Sequence, residues 1–136
     1  MSLIQGRMDN MKKKKGQSMV EIALALPLLV FLLCGIIDFG RILYAGETLN
    51  LINQEAVRKA GLGKTNAEVT EYVKNNCPLA DKDTIVVAFN PTSQPRSSGT
   101  YVTVTLKYEV KYITPVMKFI IGDTFTINNK STIRVE

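Results

Sequence analysis

Between Ile22 and Ile37 the chain reads IALALPLLVFLLCGII, 16 residues without a charged side chain. As a helix this run covers about 24 Å, a little short of a ~30 Å hydrocarbon core. On length alone, a buried helix of a globular domain competes with a membrane span. The flanks separate the two. Lys12, Lys13, Lys14 and Lys15 precede the run, and cationic residues mark the cytoplasmic side of a span. Arg41 and Tyr44 follow it, and a long basic side chain and an aromatic ring both suit the opposite interface. A soluble domain of this size also has little with which to cover a helix that is apolar all round. The reading is a membrane-inserted helix over about residues 19–40, with its N-terminus in the cytoplasm.

A cleaved secretory signal has the same basic and apolar regions. Its cleavage site needs small residues at −3 and −1, and the nearest option, Leu43-Tyr44-Ala45, places Leu at −3. A lipoprotein site at Cys34 needs a small residue before the Cys, where Leu33 stands. The apolar segment is therefore expected to stay on the protein.

Composition narrows the chemistry. The 136 residues include no His and two Cys. That removes Ser-His-Asp and Cys-His sites, His-ligated metals and imidazole acid–base catalysis. Cys34 and Cys77 are too few for a zinc site and too far apart for a CxxC pair. No enzyme activity and no cofactor are expected. The net charge of +5 is localised: residues 1–16 hold five basic side chains against Asp9, and the remainder holds 12 basic and 11 acidic ones. A phosphate-binding stripe has to lie on a folded surface, so nucleic acid is not an expected partner.

On the cytoplasmic side of the run stands Lys15-Gly16-Gln17-Ser18-Met19-Val20-Glu21. A Gly between the basic block and the apolar core, with Glu five residues later, resembles the prepilin cleavage signal of type IV pilins. Glu21-Ile22-Ala23-Leu24-Ala25-Leu26-Pro27, joined to Gly35-Ile36-Ile37-Asp38-Phe39-Gly40-Arg41, resembles the N-terminal signature of TadE-like pseudopilins of the tight-adherence (Tad, or Flp) pilus. The resemblance covers about Lys12 to Arg58. It implies cleavage between Gly16 and Gln17 by a prepilin peptidase, and partners among pilin-like subunits and the pilus assembly platform. It also implies that Glu21 neutralises the new α-amine of a neighbouring subunit during assembly.

These residues carry physical arguments of their own. Gly has no β-carbon to crowd a peptidase pocket. Burying an unpaired carboxylate at Glu21 costs about 2.5–3.5 kcal/mol on insertion scales. The alternative for Glu21 is a headgroup-level pairing with Lys12 to Lys15. Pro27 removes one helix hydrogen bond, which membrane helices tolerate. Asp38 and Arg41 stand three apart, suited to an exposed pair on one helix face that marks the outer interface. Cys34 reads as a small buried hydrophobe.

Beyond the interface, Ile42, Ala45, Leu49, Ile52, Ala56 and Ala60 recur at helical spacing, and Gly61 supplies a stop. A helix from Gln17 to Ala60 is about 66 Å long. Gly63-Lys64-Thr65 imitates a phosphate-binding loop, but Arg58 occupies the position of the required first Gly. Thr65-x-x-Glu68 is instead a capping box opening a second helix, with Val69, Tyr72 and Val73 as its apolar face.

The rest reads as sheet. Thr84 to Phe89 is a short strand, and Tyr101 to Ile113 alternates, with Val102, Val104, Leu106, Tyr108, Val110 and Tyr112 on one face. Thr124 to Val135 alternates with Phe125, Ile127, Ile133 and Val135 inward. Asn90 to Gly99 reads as an exposed mobile loop. Pro115 to Gly122 reads as a short helical turn closing one end of the core, with a membrane or partner contact as the alternative. Cys77 is free or pairs between subunits.

The expected fold is α+β and pilin-like: a long N-terminal transmembrane and amphipathic helix packed on a small antiparallel sheet. The division is a cytoplasmic leader, residues 1–16; the helix, residues 17–60; and an extracytoplasmic α+β domain, residues 61–136. The function expected is a minor-pilin-like subunit, because the resemblance implies that main pilins of this system lack so large a soluble domain. It would assemble into or prime a Tad-type pilus used in surface adhesion. The alternative is an uncut single-pass membrane protein whose outer domain binds a partner.

Overall fold

The structure, a computed structural model, describes residues 1–136. Helix α1 spans Ser2–Gly61. The expected start was Gln17, but the helix runs through Gly16 into the basic block. Residues 2–16 contain Gln, Arg, Met and Lys and no Pro. These are good helix formers, and adding turns to an existing helix needs no new nucleus. A Gly costs about 1 kcal/mol there relative to Ala without stopping propagation. Pro27 also lies inside the helix.

The chain divides into two units, Met1–Ile37 and Asp38–Glu136. In the first, every residue from Met1 to Leu33 is exposed. The apolar run therefore has no covering layer of protein, unlike the core helix of a globular domain.

The second unit is helix on sheet. Helix α2 spans Asn66–Asn76, strand β1 Val86–Asn90, strand β2 Tyr101–Lys111, helix α3 Pro115–Ile121 and strand β3 Thr124–Arg134. The sheet is antiparallel in the order β1-β2-β3. Central β2 pairs along its whole length with β3, from Tyr101↔Arg134 to Lys111↔Thr124, and over five residues with β1. The alternation of β2 decides the inner face: Val102, Val104, Leu106, Tyr108 and Val110 are all buried. The other face is wet, with the Thr103 and Thr132 hydroxyls 2.7 Å apart across the strands. On the inner face sit Ala45, Leu49, Ile52, Ala56, Val57 and Ala60 of α1. Three alanines in this stripe let the helix come close to the sheet. Asn53, a polar residue on the same face, is also fully buried; its Nδ2 donates to the Val104 carbonyl at 3.2 Å and to Asn129 Oδ1 at 2.7 Å. Edge strand β3 is less covered than its alternation suggests. Phe125 is exposed, Ile127 and Ile133 are half-buried, and only Val135 just beyond the strand is buried.

The end of α1 is a Schellman turn, in which the Lys64 N–H donates to the Lys59 carbonyl and the Gly63 N–H to that of Ala60. The reversal is made by Gly63 at φ +90°, and Gly61, expected as the stop, is the last helical residue. Gly61 is needed for a different reason: a Cβ there would stand 2.9 Å from Ile133 Cγ2. Lys64 and Thr65 are absorbed by the start of α2. Thr65 and Glu68 form the reciprocal capping box, and the Thr65 N–H holds the Glu68 carboxyl below its ordinary pKa. Val69 and Val73 then face the core, while Tyr72 is half-buried with the Lys59 ammonium 4.4 Å from its ring centre.

The segment from Asn90 to Gly99 was expected to be mobile. It is instead pinned to the start of α2: Asn66 Nδ2 donates to the Thr92 carbonyl, and Gln94 and Arg96 both donate to Asn66 Oδ1. Cys77 is buried and Cys34 half-buried, and both are free thiols. Burial pushes the Cys77 thiol up, so it stays protonated at neutral pH.

Candidate functional site

The residues singled out in the sequence all lie on α1, and the structure separates them into two groups. At the N-terminal end, Lys12 to Lys15, Gly16, Gln17 and Glu21 are exposed on the helix surface. Gln17 Nε2 donates to Glu21 Oε1 at 3.4 Å, one turn away. No ion pair joins Glu21 to any of the four lysines. A β-carbon built on Gly16 meets nothing within 4 Å. Gly16 therefore answers no packing need of the chain.

The second group sits where the apolar run ends. Asp38 follows Ile37 directly, and its side chain was expected to be exposed. It is 1% exposed. Its Oδ1 accepts from the Ile113 N–H at 3.1 Å, and its Oδ2 accepts from the Thr114 N–H at 3.3 Å and from the Thr114 hydroxyl. Arg41, one turn on, donates from Nη1 to the Lys111 carbonyl at 2.8 Å and lies 3.8 Å from Asp38 Oδ1. The pair therefore works as a clasp. It takes up the backbone groups left over where β2 ends, and Thr114 is also the N-cap of α3. A carboxylate offers the capacity to accept several donors at once, and each charge-assisted bond is stronger than a neutral one. The i, i+3 spacing signalled that the two side chains act together. It could not signal that their shared target is residues 111–114, some 70 positions away in sequence.

Helix α3 forms where Pro115 at its first turn and Gly122 at its end bracket it. It does not close the core, because none of its residues is buried and Phe119 is 92% exposed.

A Gly–Glu boundary, a charge-free helical run with no protein cover, and an Asp38–Arg41 clasp at its C-terminal end stand together on α1. A family model described as TadE-like protein matches residues 16–58. Residues 16–58 are similar to that family. The match begins on Gly16 and takes in Glu21, Pro27, the Asp38–Arg41 clasp and the sheet-packed stripe from Ala45 to Val57. Comparison with curated proteins and with solved structures gives no match. The TadE-like segment supports a Tad-pilus-associated, pilin-like role, and α1 contains a stretch long and apolar enough to cross a membrane.

Proposed function

We propose that this protein is a non-enzymatic, pilin-like subunit of a Tad-type pilus, cut after Gly16 by a prepilin peptidase. Lys12 to Lys15 lie in the cytoplasm, the apolar run spans the cytoplasmic membrane, and residues 61–136 stand outside. After cleavage, the Gln17 α-amine and the Glu21 carboxylate of adjacent copies neutralise each other, and lateral packing of the α1 helices takes the subunit into the fibre. As a minor pilin it assembles into or primes a pilus used in surface adhesion.

The observation that carries this reading is the TadE-like match beginning on Gly16, at a position where the fold has no use for a glycine. A helix-interior Gly costs about 1 kcal/mol relative to Ala. Gly6, Gly35, Gly40 and Gly46 of α1 meet nothing within 4 Å either, so the support for a peptidase site is the position of Gly16 at the start of the match, five residues before Glu21.

Intact mass of the protein from cells with and without the cognate prepilin peptidase tests it. The expected mature chain starts at Gln17 only when the peptidase is present. A chain that keeps Lys12 to Gly16 in peptidase-positive cells would instead make this an uncut membrane protein with an external binding domain.

A further inference from the structure

The connection between β2 and β3 is unlike an ordinary hairpin loop. It runs from Tyr112 to Asp123, contains α3, and turns Ile113, Phe119, Ile120 and Ile121 outward, each more than half exposed. Phe125, at the start of β3 opposite Val110, is 44% exposed as well. Loops that face water are normally built from small and polar residues, and a contiguous exposed apolar patch marks an interaction surface. The place of this patch in the fold says what meets it. The Asp38 carboxylate grips Ile113 and Thr114 at the base of α3, and Asp38 is the residue next to Ile37, the last of the charge-free run. The opposite end of the sheet is marked by Gly61 against Ile133 and by the Tyr101↔Arg134 pair. The patch thus lies at the same end of the second unit as Asp38, its first residue.

The geometry points to a second lipid contact: α3, with Ile113, seats in the outer headgroup layer of the same membrane that the apolar run crosses. This inference rests on the membrane reading of that run and is independent of cleavage after Gly16. Three features fit a bilayer surface. The clasp withdraws the Asp38 carboxylate, next to the end of the run, from the surface, and the exposed Asp123 carboxylate lies beyond the C-terminal end of α3. Lys118, exposed within α3, has the long stem that lets an ammonium reach phosphates while its neighbours stay in the acyl boundary. The contact also needs only a shallow insertion, as in interfacial helices. Seated this way, the external unit is held against the membrane before assembly, and leaving the bilayer for a fibre requires α3 to come out with α1.

The chain has no Trp, so a single substitution gives a clean fluorescence reporter. The full chain is placed in phosphatidylcholine nanodiscs without bromine, with bromine near the headgroup end of the acyl chains, or with bromine near their methyl ends, the last to read Leu29→Trp. Phe119→Trp is compared with Tyr101→Trp, an exposed position at the far end of β2, and with Leu29→Trp inside the run. Phe119 is almost fully exposed, so its replacement does not disturb the core; Ile120→Trp serves as a second reporter. The expected result is blue-shifted emission and strong bromine quenching for Phe119→Trp and Ile120→Trp, with neither for Tyr101→Trp. Water-like, unquenched emission at both α3 positions, with Leu29→Trp quenched, would overturn the lipid contact and leave the span intact. Blue-shifted but unquenched emission would overturn it in favour of a protein cover such as a second copy. An unquenched Leu29→Trp would overturn the span and the contact together.

Discussion

Asp38 is an acidic residue one position past a charge-free run, and it is nonetheless buried. Desolvating a carboxylate is tolerable only when donors replace the lost water, and here two backbone N–H groups and the Thr114 hydroxyl do so. The dependence is mutual, because those donors have no other acceptor of comparable strength at the end of β2. Asp38→Ala leaves buried donors unpaired, which costs about 1–3 kcal/mol. Urea unfolding of the full chain in detergent micelles, followed through the tyrosine near-UV signal, is expected to shift to lower urea, with the unfolding free energy reduced by about that amount. Asp38→Asn keeps one acceptor oxygen and is expected to lose less. If both variants unfold like the parent, the clasp does not hold the β2–α3 junction.

Among the elements, α1 shows two opposite uses of glycine. Gly63 closes the helix at φ +90°, a conformation that a β-carbon makes costly by roughly 1–2 kcal/mol. Gly46 lies within α1, and a Cβ there meets nothing within 4 Å. An alanine in that position restores up to about 1 kcal/mol of helix propensity. Gly63→Ala is therefore expected to destabilise the second unit, and Gly46→Ala to stabilise it slightly. Thermal or urea unfolding of the two variants checks the opposite signs; the same sign for both would refute this account of the helix end.

For the whole molecule, the two groups of polar residues that flank the apolar run have different duties. Asp38 and Arg41 serve the fold of their own chain. Glu21 has one long hydrogen bond, to Gln17, so the folded chain gains little from it. Glu21→Ala is expected to leave membrane insertion and the fold of the second unit unchanged while abolishing incorporation into pili. Membrane fractionation and immunogold counting on isolated pili read the two outcomes separately. Normal incorporation would remove Glu21 from the assembly step.

Much of this architecture follows from local pattern alone. The charge-free run, the stripe from Ala45 to Ala60, the capping box at Thr65 and the alternation of β2 are each set by residues close together in sequence. Helix period, strand period and capping all act over a few residues, so they are legible without a fold. The sequence by itself also marks the Gly16–Glu21 boundary, whose meaning lies outside the folded chain. Only the tertiary structure decides the rest. Asp38 looks like an interfacial charge until β2 delivers Ile113 and Thr114 to it. Asn53 looks misplaced on an apolar face until Val104 and Asn129 offer acceptors. The 90–99 loop looks free until Asn66 holds it, and α3 looks like a lid on the core until its side chains turn outward. In each case the partner is distant in sequence, and whether a polar group is satisfied or an apolar one covered depends on what the fold brings within a few ångströms of it.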